Sequence, residues 1–355
     1  MITVDIQEIR KRIDLIDCET INMLHRRMEL ALRLRRLKGS IFEPEREAEV
    51  LGNVRRYSRG VIGPEFAERL YAEIIGESRR IQQQELRLMG FQGEHGAYSE
   101  VASIAYDPSL MPIPCREFRE VFEEVGTGQL DFGIVPVENS LEGAITQVND
   151  LLIETELKIA GETSIPIHHC LLALPGVEYR NLRVVYSHSQ ALAQCRGFIA
   201  RHGLEPRPFY DTAGAARMLS DVRPQDAGVI ASRLCAELYH LEVMKEDIED
   251  HESNVTRFIV LSKYADTEEG NKCSVIFSLR HEAGTLFSVM KIFSDAGINL
   301  TRIESRPMRT APGDYAFFLD FEGSDKDERV AGALDKIRKG VPMFKFLGCY
   351  KRKIA

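Results

Sequence analysis

The stretch "MLHRRMELALRLRRLK", residues 23–38, continues a stripe that starts near the N-terminus: Ile6, Ile9, Ile13, Ile16, Thr20, Met23, Arg27, Leu30, Leu34 and Leu37. Steps of three and four place all of them on one side of an α-helix. A helix from Asp5 to Leu37 is about 50 Å long at 1.5 Å per residue. A compact domain of about 90 residues has a radius of gyration of only about 13 Å, so the stripe predicts an extended helix paired with a second chain. Arg27 interrupts the stripe. Buried without a partner it would be strongly destabilising, so either a protein carboxylate or an anionic ligand must meet it, and charge pattern alone favours neither. Lys38 lies 11 residues further on, close to three full turns, hence on the same face about 16 Å away. Arg10, 17 residues before Arg27, sits about 100° round the helix, as a residue reaching the partner's site would.

Outward from this helix, composition sets limits. The chain has 355 residues, 44% hydrophobic and 28% charged, values of a globular protein with two or three domains. The start, "MITVDIQEIRKR", has no apolar leader, and no later run approaches a membrane span; a cytoplasmic location is expected. A net charge of −8 disfavours a nucleic-acid surface, although "RLRRLK" at 33–38 is locally basic. The seven cysteines are scattered without a CxxC pair, as reduced, buried thiols are. "HHC" at 168–170 puts neighbouring side chains on opposite faces of a strand, which suits packing or hydrogen bonding better than metal ligation.

Three textures follow each other. Residues 1–88 read as helical, with breaks at "KGSIFEP" and before Pro64. Residues 89–265 alternate short apolar runs such as "DFGIVPVEN" and "RFIVLSK" with helical stretches, an α/β pattern. Residues 272–352 give strand, helix, strand, strand, helix, strand, the ferredoxin-like α+β order. In the middle segment, "GFQGEHGAYSE" places a glycine-rich turn before a helix, a setting that suits an anion. "IVPVENS", "YSHSQALAQC" and "ESNVTRFIVLS" carry polar residues at strand ends. Singly, each reads as a turn or N-cap.

Together these motifs resemble known families. Arg10, Arg27, Lys38, "EPERE", Ser78 and Gln82 resemble the all-helical chorismate mutases. That resemblance implies a homodimer or higher oligomer in which Arg10 and Arg27 hold the carboxylates of chorismate. Lys38 and Gln82 would face the ether oxygen, and Glu43, Arg46, Glu47 and Ser78 would complete the pocket. Residues 88–263 resemble prephenate dehydratase, chiefly through Thr-Arg-Phe at 256–258, Gly-Ala-Tyr-Ser at 96–99 and Val-Glu-Asn at 137–139. It implies two α/β lobes around a cleft, Thr256 donating to the departing hydroxyl, and Asn139, Ser187, Gln194 and Arg257 holding prephenate. "HEAGTLFSVMKIFSDAGINLTRIESRP" resembles the ACT amino-acid-binding module, implying L-phenylalanine as effector at Gly284, Thr285, Leu286, Glu304, Ser305 and Arg306. Neither chemistry requires a metal or cofactor. The product of the first site is the substrate of the second, and feedback inhibition by L-phenylalanine is implied. Two other readings keep the cleft: dehydration of L-arogenate, and a two-lobed small-molecule binding protein.

Overall fold

The computed structural model describes residues 6–251, 253–265, 269–308 and 313–351. Asp5, where the first helix was expected to start, and Arg352, the expected end of the third domain, lie outside the described residues. The chain divides into two compact units, Met1–Leu88 and Met89–Ala355.

The first unit consists of helices α1 (Ile6–Leu37), α2 (Pro44–Tyr57) and α3 (Pro64–Gln83). Pro44 and Pro64 open their helices at the first turn, where a missing N–H breaks no helical bond. Both α1 and α2 pack on α3. Every apolar member of the α1 stripe remains exposed, Met23 by 63%. The buried residues of its three helices, among those described, are instead Leu32, Ala67, Ile75 and Ser78. The helix thus carries an open apolar face along its 32 residues, larger than a lone soluble helix ordinarily leaves to water.

The second unit opens with β1 (Leu88–Gln92), α4 (Tyr98–Tyr106), β2 (Met111–Cys115), α5 (Phe118–Thr127), β3 (Phe132–Asn139), β4 (Gly143–Ala144), α6 (Thr146–Glu154) and β5 (Lys158–Pro166). The chain then crosses to a second lobe: β6 (Cys170–Ala173), β7 (Val184–His188), α7 (Ser189–Gln194), α8 (Arg196–Arg201), β8 (Glu205–Phe209), α9 (Thr212–Val222), β9 (Ala227–Ala231), α10 (Arg233–Leu238) and β10 (Glu242–Lys245). It returns as β11 (Val255–Ser262), inserted antiparallel between β3 and β5. The first-lobe sheet runs β2-β1-β3-β11-β5 and the second β10-β6-β9-β7-β8. At the crossover the amide of Ile167 donates to the carbonyl of Asn254 at 2.8 Å, which ties the two connecting segments together.

The rest is β12 (Lys272–Leu279), α11 (Thr285–Asp295), β13 (Leu300–Pro307), β14 (Tyr315–Glu322), α12 (Glu328–Gly340) and β15 (Met343–Tyr350), ordered β13-β14-β12-β15. The ferredoxin-like expectation holds. Strand β12 is buried along its whole length. Its odd-numbered residues Cys273, Val275, Phe277 and Leu279 join the core beneath α11 and α12. Lys272, on the opposite face, meets Glu162 of β5 at 2.8 Å. Strand β15 lies against β5, where Lys158 Nζ donates to the carbonyl of Phe346 at 2.9 Å.

Gly348 shows how close that approach is: at φ +147°, a Cβ built on it would lie 2.5 Å from the carbonyl oxygen of Ile159. Gly348→Ala should therefore destabilise this unit by about 1–3 kcal/mol. Gly332→Ala, in open space on α12, should be neutral or stabilising. Thermal melts of the two variants beside the parent chain check this; equal midpoints for both would contradict it.

Candidate active sites

In the helical unit Arg27 is half-buried and its Nη1 donates to Ser78 Oγ of α3, which also lies 3.2 Å from Met28 Sδ. Among the described residues no carboxylate reaches Arg27. Lys38, just past the end of α1, grips both oxygens of Glu43 at 2.8 and 2.9 Å. Glu47 faces Arg79 at 3.5 Å, and Arg46 turns outward to Glu49 at 2.6 Å. Gln82, half-buried, follows Ser78 by one turn on the same face of α3. Arg10 is exposed, about 26 Å along α1 from Arg27. One chain thus brings Arg27, Ser78 and Gln82 onto a common face and leaves Arg10 far from them.

The second unit holds a cavity of about 410 Å³ between its lobes, lined from the first by Pro136, Asn139, Thr256 and Phe258 and from the second by His169, His188, Gln190, Gln194 and Asp211. The residues facing it are wired together. Asn139 Nδ2 donates to Thr256 Oγ1 at 2.9 Å and to Asn254 Oδ1 at 2.7 Å, while Asn139 Oδ1 accepts the backbone N–H groups of Leu141 and Glu142 at 3.0 and 3.1 Å. An amide has two donors and two acceptor sites, so Asn139 is saturated and its orientation fixed. The hydroxyl of Thr256 accepts from Asn139 and keeps its own proton for another acceptor. Asn254 Nδ2 continues the chain to Gln194 Oε1 at 3.1 Å. Gln194 Nε2 donates to Glu142 at 3.0 Å.

Two expected residues lie elsewhere. Ser187 is fully buried and donates to the carbonyl of Ile230 at 2.5 Å; it does not line the cavity. Arg257 points to the opposite face of β11 from Thr256 and meets Asp320, Glu162 and Glu138. The cause is strand alternation. The glycine-rich turn differs as well: the amide of Gly96 donates to Glu100 at 2.6 Å, so the chain's own carboxylate occupies the donor expected for an anion. Gly96 itself, at φ +93°, leaves no room for a Cβ beside Cys235.

In the third domain Gly284 adopts the left-handed conformation (φ +87°) at the N-terminus of α11, and Thr285 Oγ1 donates back to the carbonyl of Glu282 at 2.9 Å. Leu286 packs against the core. Strand register aligns Leu279, Tyr315 and Pro307 across three strands, so the loop ahead of Gly284 and the "ESRP" end of β13 share one end of the sheet. Glu304 and Arg306 are half-buried and Ser305 is exposed. Arg306 makes a two-pronged pair with Asp150 of α6 at 2.7 and 3.0 Å.

Family models match in order along the chain: chorismate mutase type II over residues 9–83, prephenate dehydratase over 89–266 and the ACT domain over 274–339. A bifunctional chorismate mutase/prephenate dehydratase from Aquifex aeolicus is 35% identical over 99% of both chains. The chain belongs to this bifunctional family. It is a chorismate mutase and a prephenate dehydratase of aromatic amino acid biosynthesis, with an ACT domain. Arogenate dehydratase 2 of Petunia hybrida is 39% identical over 74% of this chain and 71% of its own. Prephenate dehydratase of Arthrobacter aurescens, solved in complex with L-Phe, is 34% identical with a TM-score of 0.69, covering 75% of this chain and 90% of that one.

The cleft's hydrogen-bond chain includes a residue that motif reading passed over, Asn254, and one it assigned to packing or hydrogen bonding, His169. Asn254 stands two positions before Thr256, inside the quoted "ESNVTRF", and His169 is the middle residue of "HHC". Because Gln194 Nε2 faces a carboxylate, its Oε1 faces His169 Nε2 at 2.8 Å, which therefore carries the proton in the neutral ring. Nδ1 then faces the Tyr98 hydroxyl at 2.8 Å as acceptor and shares that hydroxyl's proton with the backbone carbonyl of His168, 2.7 Å from the hydroxyl. Burial is the main influence on His169 and lowers its pKa below the ordinary 6.5, against the opposing pull of Gln194 and Glu249. The stability lent by the neutral ring is complete above about pH 6.5 and is lost as pH falls from there through the depressed pKa. Histidine-resolved NMR titration should give His169 a midpoint below 6.5, and a midpoint above it would contradict this wiring.

Proposed function

We propose that the helical unit, as a homodimer or higher oligomer, rearranges chorismate to prephenate, and that the cleft converts prephenate to phenylpyruvate with loss of CO₂ and water in the cytoplasm. The rearrangement has no covalent or proton-transfer step, so the protein need only hold the reactive conformer and stabilise charge on the ether oxygen. Arg27 and a partner's Arg10 hold the carboxylates, Lys38 and Gln82 attend the ether oxygen, and Glu43, Arg46, Glu47 and Ser78 complete the pocket. The exposed α1 stripe supports pairing of chains, and an arginine that meets a hydroxyl supports an anionic ligand.

For the dehydration, aromatisation drives the loss of CO₂ and hydroxide, and the cleft must supply a donor to the departing hydroxyl. The observation that carries this reading is Thr256 Oγ1, 2.9 Å from the saturated Asn139, with its proton available. Gln194 contributes its amide to the same wall. Dehydration of L-arogenate is a second reading, favoured by the plant relative. Supplying chorismate, prephenate and arogenate separately to the purified chain and identifying the products decides between them.

Two variants should dissociate the activities. Thr256→Val keeps the branched shape and should lower phenylpyruvate formation by about 10²–10⁴, whereas Arg27→Ala should abolish prephenate formation and spare dehydration of supplied prephenate. Equal loss of both activities in either folded variant would refute separate sites.

L-phenylalanine is the proposed effector, bound by the third domain around Gly284, Thr285, Leu286, Glu304, Ser305 and Arg306. It inhibits by favouring one conformation over another, with a typical coupling of 5–150-fold or about 1–3 kcal/mol. Gly284→Ala should raise the half-inhibitory phenylalanine concentration about tenfold without changing the uninhibited rate; unchanged sensitivity in assays of initial rate would place the effector elsewhere.

A further inference from the structure

We propose that Arg257 is a positioning residue that anchors the catalytic strand to the ACT domain through Asp320, and that it does not contact substrate. This rests on Thr256 as the donor in the cleft. Thr256 and Phe258 line the cavity, and Arg257 between them is turned away from it. Nη2 lies 2.5 Å from Asp320 in a hydrogen-bonded pair, while Nε, 3.3 Å from Glu162, and Nη1, 3.7 Å from Glu138, are within ion-pair range without a hydrogen bond. Asp320 and Glu162 are each only 2% exposed.

The rest of the cluster is arranged around that pairing. Asp320 Oδ1 accepts from Ser274 Oγ at 2.6 Å, and Ser274 in turn meets the buried Tyr350 hydroxyl at 2.7 Å. Lys272 Nζ holds both oxygens of Glu162 at 2.8 Å. Two cations thus balance the two deeply buried carboxylates. Three strands of the ACT domain, β12, β14 and β15, supply one half of the cluster, and β5 and β11 supply the other. An arginine already neutralised by two buried carboxylates has little attraction left for a dianionic substrate, whereas its removal strands Asp320 in an interior that stabilises no lone charge. Arg257 Cα is one residue from Thr256, so slack in the anchor moves the donor directly, and a displacement of about 1 Å can cost about 10²-fold in rate.

The full-length chain tests this with Arg257→Lys, Arg257→Met, Asp320→Asn and the Met/Asn double variant, each assayed for kcat and KM with prephenate at a temperature where melts show it folded. An anchor predicts that Asp320→Asn lowers kcat about 10- to 100-fold with KM within about twofold, and that the double variant is no worse than the worse single one. Arg257→Lys should recover part of the loss seen with Arg257→Met. If Asp320→Asn does not fold, Ser274→Ala, which removes one bond to Asp320, should show a smaller fall in kcat with the same constancy of KM. Unchanged kinetics in Asp320→Asn or, failing that, in Ser274→Ala would overturn the proposal, as would a tenfold rise in KM for Arg257→Lys, which would return the arginine to the substrate. Full activity of Thr256→Val would instead refute the donor on which the proposal rests.

Discussion

Strand β11 is enclosed along nearly its whole length, with only Val255 at its start exposed. One side carries Thr256 and Phe258 into the cleft, the other carries Arg257 against the ACT domain, and β3 and β5 hold its edges. A strand so enclosed must find a partner inside the protein for every polar atom it brings. The saturated Asn139 answers on one face and the carboxylates of Asp320 and Glu162 on the other. The lobes, the cleft and the docking of the last domain all follow from where this strand lies, and the chain returns from the second lobe to place it there.

The helical unit solves a different electrostatic problem. Its cations lie on a thin scaffold with few buried residues, so solvent screens them and local carboxylates occupy several. Lys38 with Glu43 and Arg79 with Glu47 are such pairs. Exposed pairs of this kind contribute little stability, so under the proposed mutase function a dianion of better geometry would displace them at small cost. Arg27, with its neutral partner, needs no such exchange.

Periodicity made the regular elements legible. The three-and-four stripe gave α1, whose last residue, Leu37, is the last of the stripe, and the run of patterns after residue 272 gave the ferredoxin-like sheet. Thr256 and Asn139 were legible by motif, and the register pairs them directly. Asn254 and Glu142 were not, because their meaning lies in contacts with residues up to 115 positions away, and of His169 only the hydrogen-bonding role was legible, not its partners. The surroundings of Arg257 were not legible for a related reason. Alternation says that it opposes Thr256, but only the position of another domain says what lies on that side. Ser187 sits beside a helix start in sequence, yet β9 beside it takes its hydroxyl.

The sheet order leaves β5 at the end of the first-lobe sheet, an edge whose backbone groups would be a template for strand addition. In the intact chain β15 lies on it, close enough that the Ile159 carbonyl excludes a side chain at Gly348. The ACT domain therefore covers part of β5 by packing, without adding a strand to its sheet. A dehydratase fragment cut free of it would carry an open strand edge beside an Arg257 without Asp320 and a Glu162 without Lys272, and would tend to self-associate by extending its sheet from one molecule to the next.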